Sequence, residues 1–309
     1  MKIERIKSHF YQYNTGIIFI LMLVVSGLIT ENFFTANNIA NLVRQSAPIG
    51  LVSMGMLLVI LTGGIDLSVG SVVAMIGVAF SLLSYEVYFP VAFLLSLLTG
   101  LCIGCISGYL VAYRKIASFI VTLAMMSMVR GAGYLLSKGA PISVGPYSAK
   151  ILVLGTGSFL GVPIAATLLL GVFIVLYILL KYNIFGRIVL AIGSNEEAVR
   201  LSGVAVKRIK FAVYVICSVM AALAALLMVG RTGVGTPNIG VGLELDAIAA
   251  VVIGGASLAG GKGSVLNTLL GVFILSMIGN VMNLLDITSY LQQIIKGVII
   301  IAAVLFQRD

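Results

Sequence analysis

The chain has 309 residues, 61% hydrophobic and only 9% charged, with a formal net charge of +9. Soluble domains carry about a quarter charged residues, so this composition excludes a water-soluble globular protein and leaves the polytopic helical membrane class. At roughly 20 apolar residues per crossing of a ~30 Å hydrocarbon core, about ten spans fit the length.

The expected fold is an all-α membrane protein, a single transmembrane domain over 1–309 built as a polytopic bundle of about ten helices. The first apolar run, Gly16 to Thr30, follows Lys2, Arg5 and Lys7. No small-x-small pattern precedes Glu31 and Asn32, so it reads as an uncleaved first span. Further spans fall at about 47–62, 67–84, 90–113, 116–136, 162–180, 211–229, 244–260, 264–284 and 290–306. Alternation from an inner start puts Arg114, Lys115, residues 181–210, Lys262 and Arg308 in the cytoplasm, together with both termini. Glu31, Arg44, Glu86, Lys138, Lys150, Arg231 and Asp286 then lie outside. Basic residues dominate only the inner side, which orients the protein and meets anionic lipid; no nucleic-acid surface is implied. Residues 137–161, with Pro141, Pro146 and several glycines, form an outer loop able to hold a short helix or lip.

Two glycine-rich runs interrupt the apolar pattern, and each is open to reading as a turn or as a broken helix. The first contains Gly63, Gly64, Asp66, Ser68 and Gly70. An embedded carboxylate is costly, so Asp66 and Ser68 belong either to a gate or to a cap on the following helix. The second, Gly254 to Ser264, faintly echoes the first; paired interrupted segments in transporters mark binding sites. Its Gly261-Lys262-Gly263 lacks the spacing and the hydroxyl of a phosphate-binding loop, so no nucleotide site is expected. Glu244 and Asp246 suit the dipole at the start of their helix, and Arg130 is read as snorkelling toward the outer interface. Asn280 and Asn283, at i and i+3, are either pathway residues or glue between helices. Cys102, Cys105 and Cys217 lie in apolar runs as packing residues, and no His or third Cys completes a metal set. His9 lies outside the membrane, and no nucleophile–base pair stands out.

The 181–210 stretch is the most polar part of the chain, with six basic residues against Glu196 and Glu197. Its middle, Gly193 to Gly203, reads as a short helix between two glycines. Ser194 or Asn195 can cap its start, and the two glutamates suit its positive end. Such a helix, with no soluble domain of about 50 residues anywhere in the chain, points to a cytoplasmic docking partner.

Four segments, LTGGIDLSVGSVVAM (61–75), 118–142, FGRIVLAIGSNEEAVRLSGVAVKRIK (185–210) and 253–285, together resemble permease subunits of bacterial ABC importers for monosaccharides, the ribose/xylose/galactose type that includes autoinducer-2 permeases. The resemblance covers nearly the whole chain. It implies a permease dimer, of two copies or a copy and a paralogue, with a double-domain ATPase inside and a sugar-binding protein outside. ATP and Mg²⁺ would sit on the ATPase, and this chain would bind no cofactor. The 181–210 loop would hold the coupling helix, with Gly193, Glu196, Ala198, Arg200 and Gly203 at motif positions beside Ser194, Asn195 and Leu201. Val199, where the family more often has a small residue, is a departure that bears on packing. Gly63, Gly64, Asp66, Ser68, Gly70, Asn280 and Asn283 are the gate or pathway candidates. The implied mechanism is alternating access. The alternatives are a branched-chain amino-acid ABC permease and an ion-coupled secondary carrier, the latter needing embedded charge pairs.

Overall fold

The structure is a computed structural model that describes residues 2–306, with side chains at 14–303 and 305. The side chains of Lys2, Arg5, Lys7 and His9, and all of Arg308, lie outside the described residues.

Twelve α-helices follow one another among the described residues. They are α1 (Lys2–Ile29), α2 (Ala36–Leu61), α3 (Val69–Leu83), α4 (Phe89–Ala112), α5 (Ser118–Ser137), α6 (Ile151–Thr156), α7 (Ile164–Tyr182), α8 (Ile184–Leu201), α9 (Val206–Thr232), α10 (Leu243–Ile253), α11 (Val265–Leu284) and α12 (Ser289–Phe306). Six of them, α2, α4, α5, α7, α9 and α11, are long and apolar enough to cross a membrane. Shorter apolar helical stretches occupy Asn14–Ile29, Val69–Leu83 and Ser289–Ala303. The span expected at 244–260 differs: α10 has 11 residues, about 16 Å of rise, and stops where the glycines begin. The protein is an all-α membrane protein.

The core is built on α2 and α9. From Leu51 to Leu61 every residue of α2 is buried, as a helix that is apolar all round must be. Its neighbour α9 meets α4 through a ladder of small residues. A Cβ added at Gly100 would lie 2.8 Å from Ala222, one at Gly104 2.8 Å from Ser218, and one at Gly108 2.9 Å from the Phe211 carbonyl. Four-residue glycine spacing of this kind lets helix backbones approach, which is how helices pack where lipid gives no hydrophobic drive. The outward faces of the peripheral helices carry large apolar side chains, with Leu28 and Leu135 82% exposed and Leu305 75% exposed; these faces suit lipid.

Residues 137–163 cover the end of the bundle opposite α8. Strand β1 (Ile142–Ser143) pairs antiparallel with β4 (Val234–Gly235), and β2 (Ser158–Phe159) with β3 (Val162–Pro163). Between the two pairs, α6 lies across α9 so closely that a Cβ at Gly155 would overlap the backbone of Gly230 and Arg231. The 137–161 segment thus does hold a short helix, fixed to the bundle.

Candidate functional site

The first glycine-rich run is a break between two helices. Helix α2 ends at Leu61 with the Thr62 hydroxyl donating to the Val59 carbonyl at 2.8 Å, and Gly63 takes a left-handed φ of 74°. The backbone then runs without helix to Val69. Two hydroxyls of α5 stand against this open stretch. Ser118 Oγ accepts from the Ile65 amide at 3.4 Å, and Thr122 Oγ1 donates to the Ile65 carbonyl at 3.2 Å. Non-helical backbone inside a membrane protein requires such partners.

Asp66 is fully buried at the base of the break. Its Oδ1 accepts from the Ser68 amide at 2.9 Å and the Ser68 hydroxyl at 2.6 Å. That is a local turn just before α3: Ser68 is the N-cap residue and no side chain caps the first amides of the helix, so Asp66 orders the approach to α3 without capping it. Tyr214 and Cys217 approach Asp66 from α9, so Cys217 sits beside a carboxylate and not in a purely apolar setting. A Cβ at Gly64 would overlap the Tyr214 hydroxyl. Sequence reasoning passed over Ser118, Thr122 and Tyr214; the i, i+4 hydroxyls of α5 were the available signal.

The second glycine-rich run is also a break. Helix α10 ends at Ile253, and Gly255, Gly260 and Gly261 take positive φ. The Ser257 amide closes the turn on the Lys262 carbonyl at 2.9 Å, and Ser264 caps α11 by accepting from the Asn267 amide at 3.4 Å. The two echoed segments meet: the Gly261 amide donates to the Leu61 carbonyl at 3.0 Å. A Cβ at Gly260 would stand 2.9 Å from both the Gly63 nitrogen and the Gly193 Cα.

Gly193 completes this contact. Any Cβ there would overlap the Leu61 carbonyl and the Gly261 nitrogen. The expectation of one short helix from Gly193 to Gly203 needs refinement: α8 begins at Ile184, capped by the Asn183 side chain, and is interrupted at Asn195 (φ −161°, ψ 92°). Asn195, not Ser194, caps the second part, its Oδ1 accepting from the Ala198 amide at 2.9 Å; the Ser194 hydroxyl donates back to the Leu190 carbonyl. Glu196 pairs with Lys210 at 2.8 Å, and Glu197 with Arg200 within the same turn. Hydrogen bonds from Arg200, helped by the charge of Lys115, hold the Glu197 carboxyl below the usual glutamate range. Leu201 stands 73% exposed among these charges, and Gly203 ends the helix with φ 80°. A cavity of about 1100 Å³ opens between this helix and the α4–α5 turn, reaching from Glu196 and Arg200 to Gly64, Ser118 and Tyr214.

Other named residues lie elsewhere. Gly70, at the start of α3, touches Glu244 and the Gly240 carbonyl. Arg130 does not snorkel: its guanidinium donates to the Pro237 and Ile239 carbonyls at 2.8 and 3.1 Å and to Ser71 at 3.2 Å. Asp246 is not only a dipole partner, because Lys296 of α12 reaches it at 2.9 Å. Asn280 exchanges two amide hydrogen bonds with Asn38 of α2 at 2.8 and 2.9 Å, which is interhelical glue; Asn283 is exposed and accepts from Gln292. The structure therefore brings Gly63 against the Gly193–Gly260 contact, places Gly64 on the cavity beside the short helix, and leaves Asn280 and Asn283 apart. Cys102 and Cys105 are free thiols on α4. No set of three metal-ligating side chains occurs among the described residues.

The profile of the family described as "Branched-chain amino acid transport system / permease component" matches residues 38–304. The ribose import permease protein RbsC of Escherichia coli is 41% identical over 97% of this chain and 94% of its own length. That of Bacillus subtilis is 40% identical over 94% of this chain and 90% of its own. The L-arabinose transport system permease protein AraH of Escherichia coli is 36% identical over 96% of this chain and 90% of its own. No solved structure matches the chain. The match runs from the first turn of α2 into α12 and takes in both breaks and the capped helix, so the chain belongs to this family of transport-system permease components.

Proposed function

We propose that this chain is the transmembrane permease subunit of an ATP-driven ABC importer that moves a monosaccharide into the cytoplasm. The substrate class follows the relatives, which are named for ribose and L-arabinose. A branched-chain amino-acid substrate has only the family's own description in its favour. The Asp246–Lys296 pair is the kind of feature an ion-coupled carrier would use, yet relatives matched over nearly the full length are named ABC transporter permeases.

Ten crossings result when α1, α3, α10 and α12 join the six long helices, with α6 outside and α8 inside. Both termini are then cytoplasmic, in keeping with the basic 181–210 region. The half-length α10 completes its crossing with the non-helical residues before it, as broken helices in transporters do.

The coupling mechanism rests on one observation, the joint at Gly193. The helix after Asn195 presents Leu201 between Glu196, Glu197 and Arg200 to a partner ATPase that holds ATP and Mg²⁺. When the ATPase closes, the helix moves, and Gly193 carries the displacement by direct backbone contact to both glycine-rich breaks. Asp66, fixed by Ser68, keeps the start of α3 in place while the break itself moves. A second permease, copy or paralogue, supplies the other wall of the pathway, and an extracytoplasmic sugar-binding protein delivers the substrate.

The test is co-purification from the native host in mild detergent, paired with sugar uptake. A stoichiometric ATPase is expected, lost when 195–203 is scrambled. An ATPase-free protein that moves solute under an ion gradient would overturn the reading. Gly193→Val should abolish uptake while the ATPase still co-purifies, because the docking face is untouched and only the joint is blocked.

A further inference from the structure

Arg130 lies about 18 Å along α5 from Ser118, past the midpoint of the crossing. Ionisable groups at that depth are disfavoured unless they have work to do. Here the guanidinium is engaged with backbone: it donates to the Pro237 and Ile239 carbonyls at 2.8 and 3.1 Å, and to Ser71 Oγ at 3.2 Å. One turn further along α5, the Tyr134 hydroxyl donates to the Asn238 side chain. The partners in 237–239 belong to the non-helical stretch 236–242 before α10, where Gly240 and Gly242 take φ of 73° and 80°. Helix α5 thus holds this stretch, as its first turns hold Ile65 in the first break.

A better partner for the guanidinium stands beside it. Glu244 lies in the first turn of α10, and its Oε2 is buried without a hydrogen-bond partner among the described residues. That oxygen packs on Gly70, where a Cβ would overlap it, while Arg130 is bonded to the adjoining Ser71. The carboxylate is near enough for its charge to act on Arg130, yet the hydrogen bonds of the guanidinium go to the carbonyls and to Ser71. A buried carboxylate oxygen left unmatched is unfavourable, and a guanidinium–carboxylate bond is stronger than one to a neutral carbonyl. The arrangement leaves that stronger bond unmade.

We propose that Arg130 is a positioning residue for transport, a latch with two seats. In one seat it holds 236–239 against α5; in the other it pairs with Glu244 and releases that stretch. The proposal rests on the transport reading above. The exchange is short, because both seats adjoin the first turn of α3 at Gly70 and Ser71. Gly233, Gly240 and Gly242, all at positive φ, bracket the stretch and supply the hinge positions it needs. The drive reaches the latch through α5, whose Ser118 and Thr122 are bonded to Ile65 in the break that meets Gly193. In the second seat the freed carbonyls need water, so the exchange opens this stretch to an aqueous pathway.

The experiment uses the whole transporter in native membranes, with Ile239→Cys introduced where the side chain is half-buried near Gly77. Alkylation of residue 239 by a water-soluble maleimide is timed alone and with Arg130→Gln, Arg130→Lys or Glu244→Gln added; the parent chain gives the background from its own cysteines. Arg130→Gln removes the first seat and should speed labelling about tenfold, the scale of losing hydrogen bonds from a charged donor. Arg130→Lys should fall between, since an ammonium keeps the charge without the fork. Glu244→Gln removes the second seat and should slow labelling below the Ile239→Cys rate. A static brace would instead speed labelling in both, and that result, or no change in either, overturns the latch. If Arg130→Gln does not insert, Arg130→Lys against Glu244→Gln decides in the same way. Sugar uptake by the parent chain is measured in parallel. Opposite shifts without ATP-driven uptake would retain the two-seat exchange and reject the importer; ATP-driven uptake without opposite shifts would do the reverse.

Discussion

Asn280 and Asn38 satisfy each other's amides across α2 and α11, so Asn280→Leu leaves a half-buried amide without its partner. Interhelical hydrogen bonds of this kind contribute about 0.6–1.7 kcal/mol, and a loss of that size should be read as lowered thermal stability in detergent, with uptake by surviving protein unchanged. Leu201 is the opposite case: an apolar side chain in water with no intramolecular role. Leu201→Asp should leave thermal stability intact and weaken ATPase binding about tenfold or more, as removing an interface anchor does; pull-down at graded ATPase concentration measures it. Glycines divide in the same way. A side chain at Gly193 has backbone in its path, whereas one at Gly131 on α5 meets nothing within 4 Å. Gly131→Ala should therefore be neutral or slightly stabilising.

At the scale of elements, the α4–α9 ladder gives the sharpest stability prediction. Gly104→Leu forces backbones apart where a Cβ alone would stand 2.8 Å from α9, and overpacking of this sort costs about 1–3 kcal/mol. A thermal-unfolding series of Gly100, Gly104 and Gly108 variants should show each destabilised while Gly131→Leu is not. The ladder was written in the sequence at four-residue spacing and went unread, because glycine is frequent along this whole chain. Long spans such as α9 were legible from composition alone. The half-length α10 was not, because apolar residues continue from it into the glycines and hydropathy does not distinguish helix from break. The capped helix was legible because Asn195, Glu196 and Glu197 form a local signal, and a local signal needs no tertiary context. What no local signal could reveal is that Gly193, Leu61 and Gly261 touch. Likewise Lys296 sits in an apolar run, and only the packing of α12 on α10 shows that it answers Asp246.

At the scale of the whole molecule, the arrangement is two breaks from distant parts of the chain meeting under one short helix, with the α6 segment packed over the far end. The proposed topology makes opposite ends accessible from opposite sides. Impermeant reagents should label Tyr147→Cys only from outside intact cells and Ser202→Cys only after the membrane is opened; the reverse pattern would invert the orientation. The joint beneath the short helix has one further consequence. Its closest approaches at Gly193 are between main-chain atoms, so it conveys displacement without regard to what drives it or what is being carried. The short helix is in that sense a plug: its rim of Glu196, Glu197, Arg200 and Leu201 fits one motor, while the socket behind Gly193 is generic. Exchanging residues 196–203 for those of a relative should hand the chain to that relative's motor and leave its cargo the same.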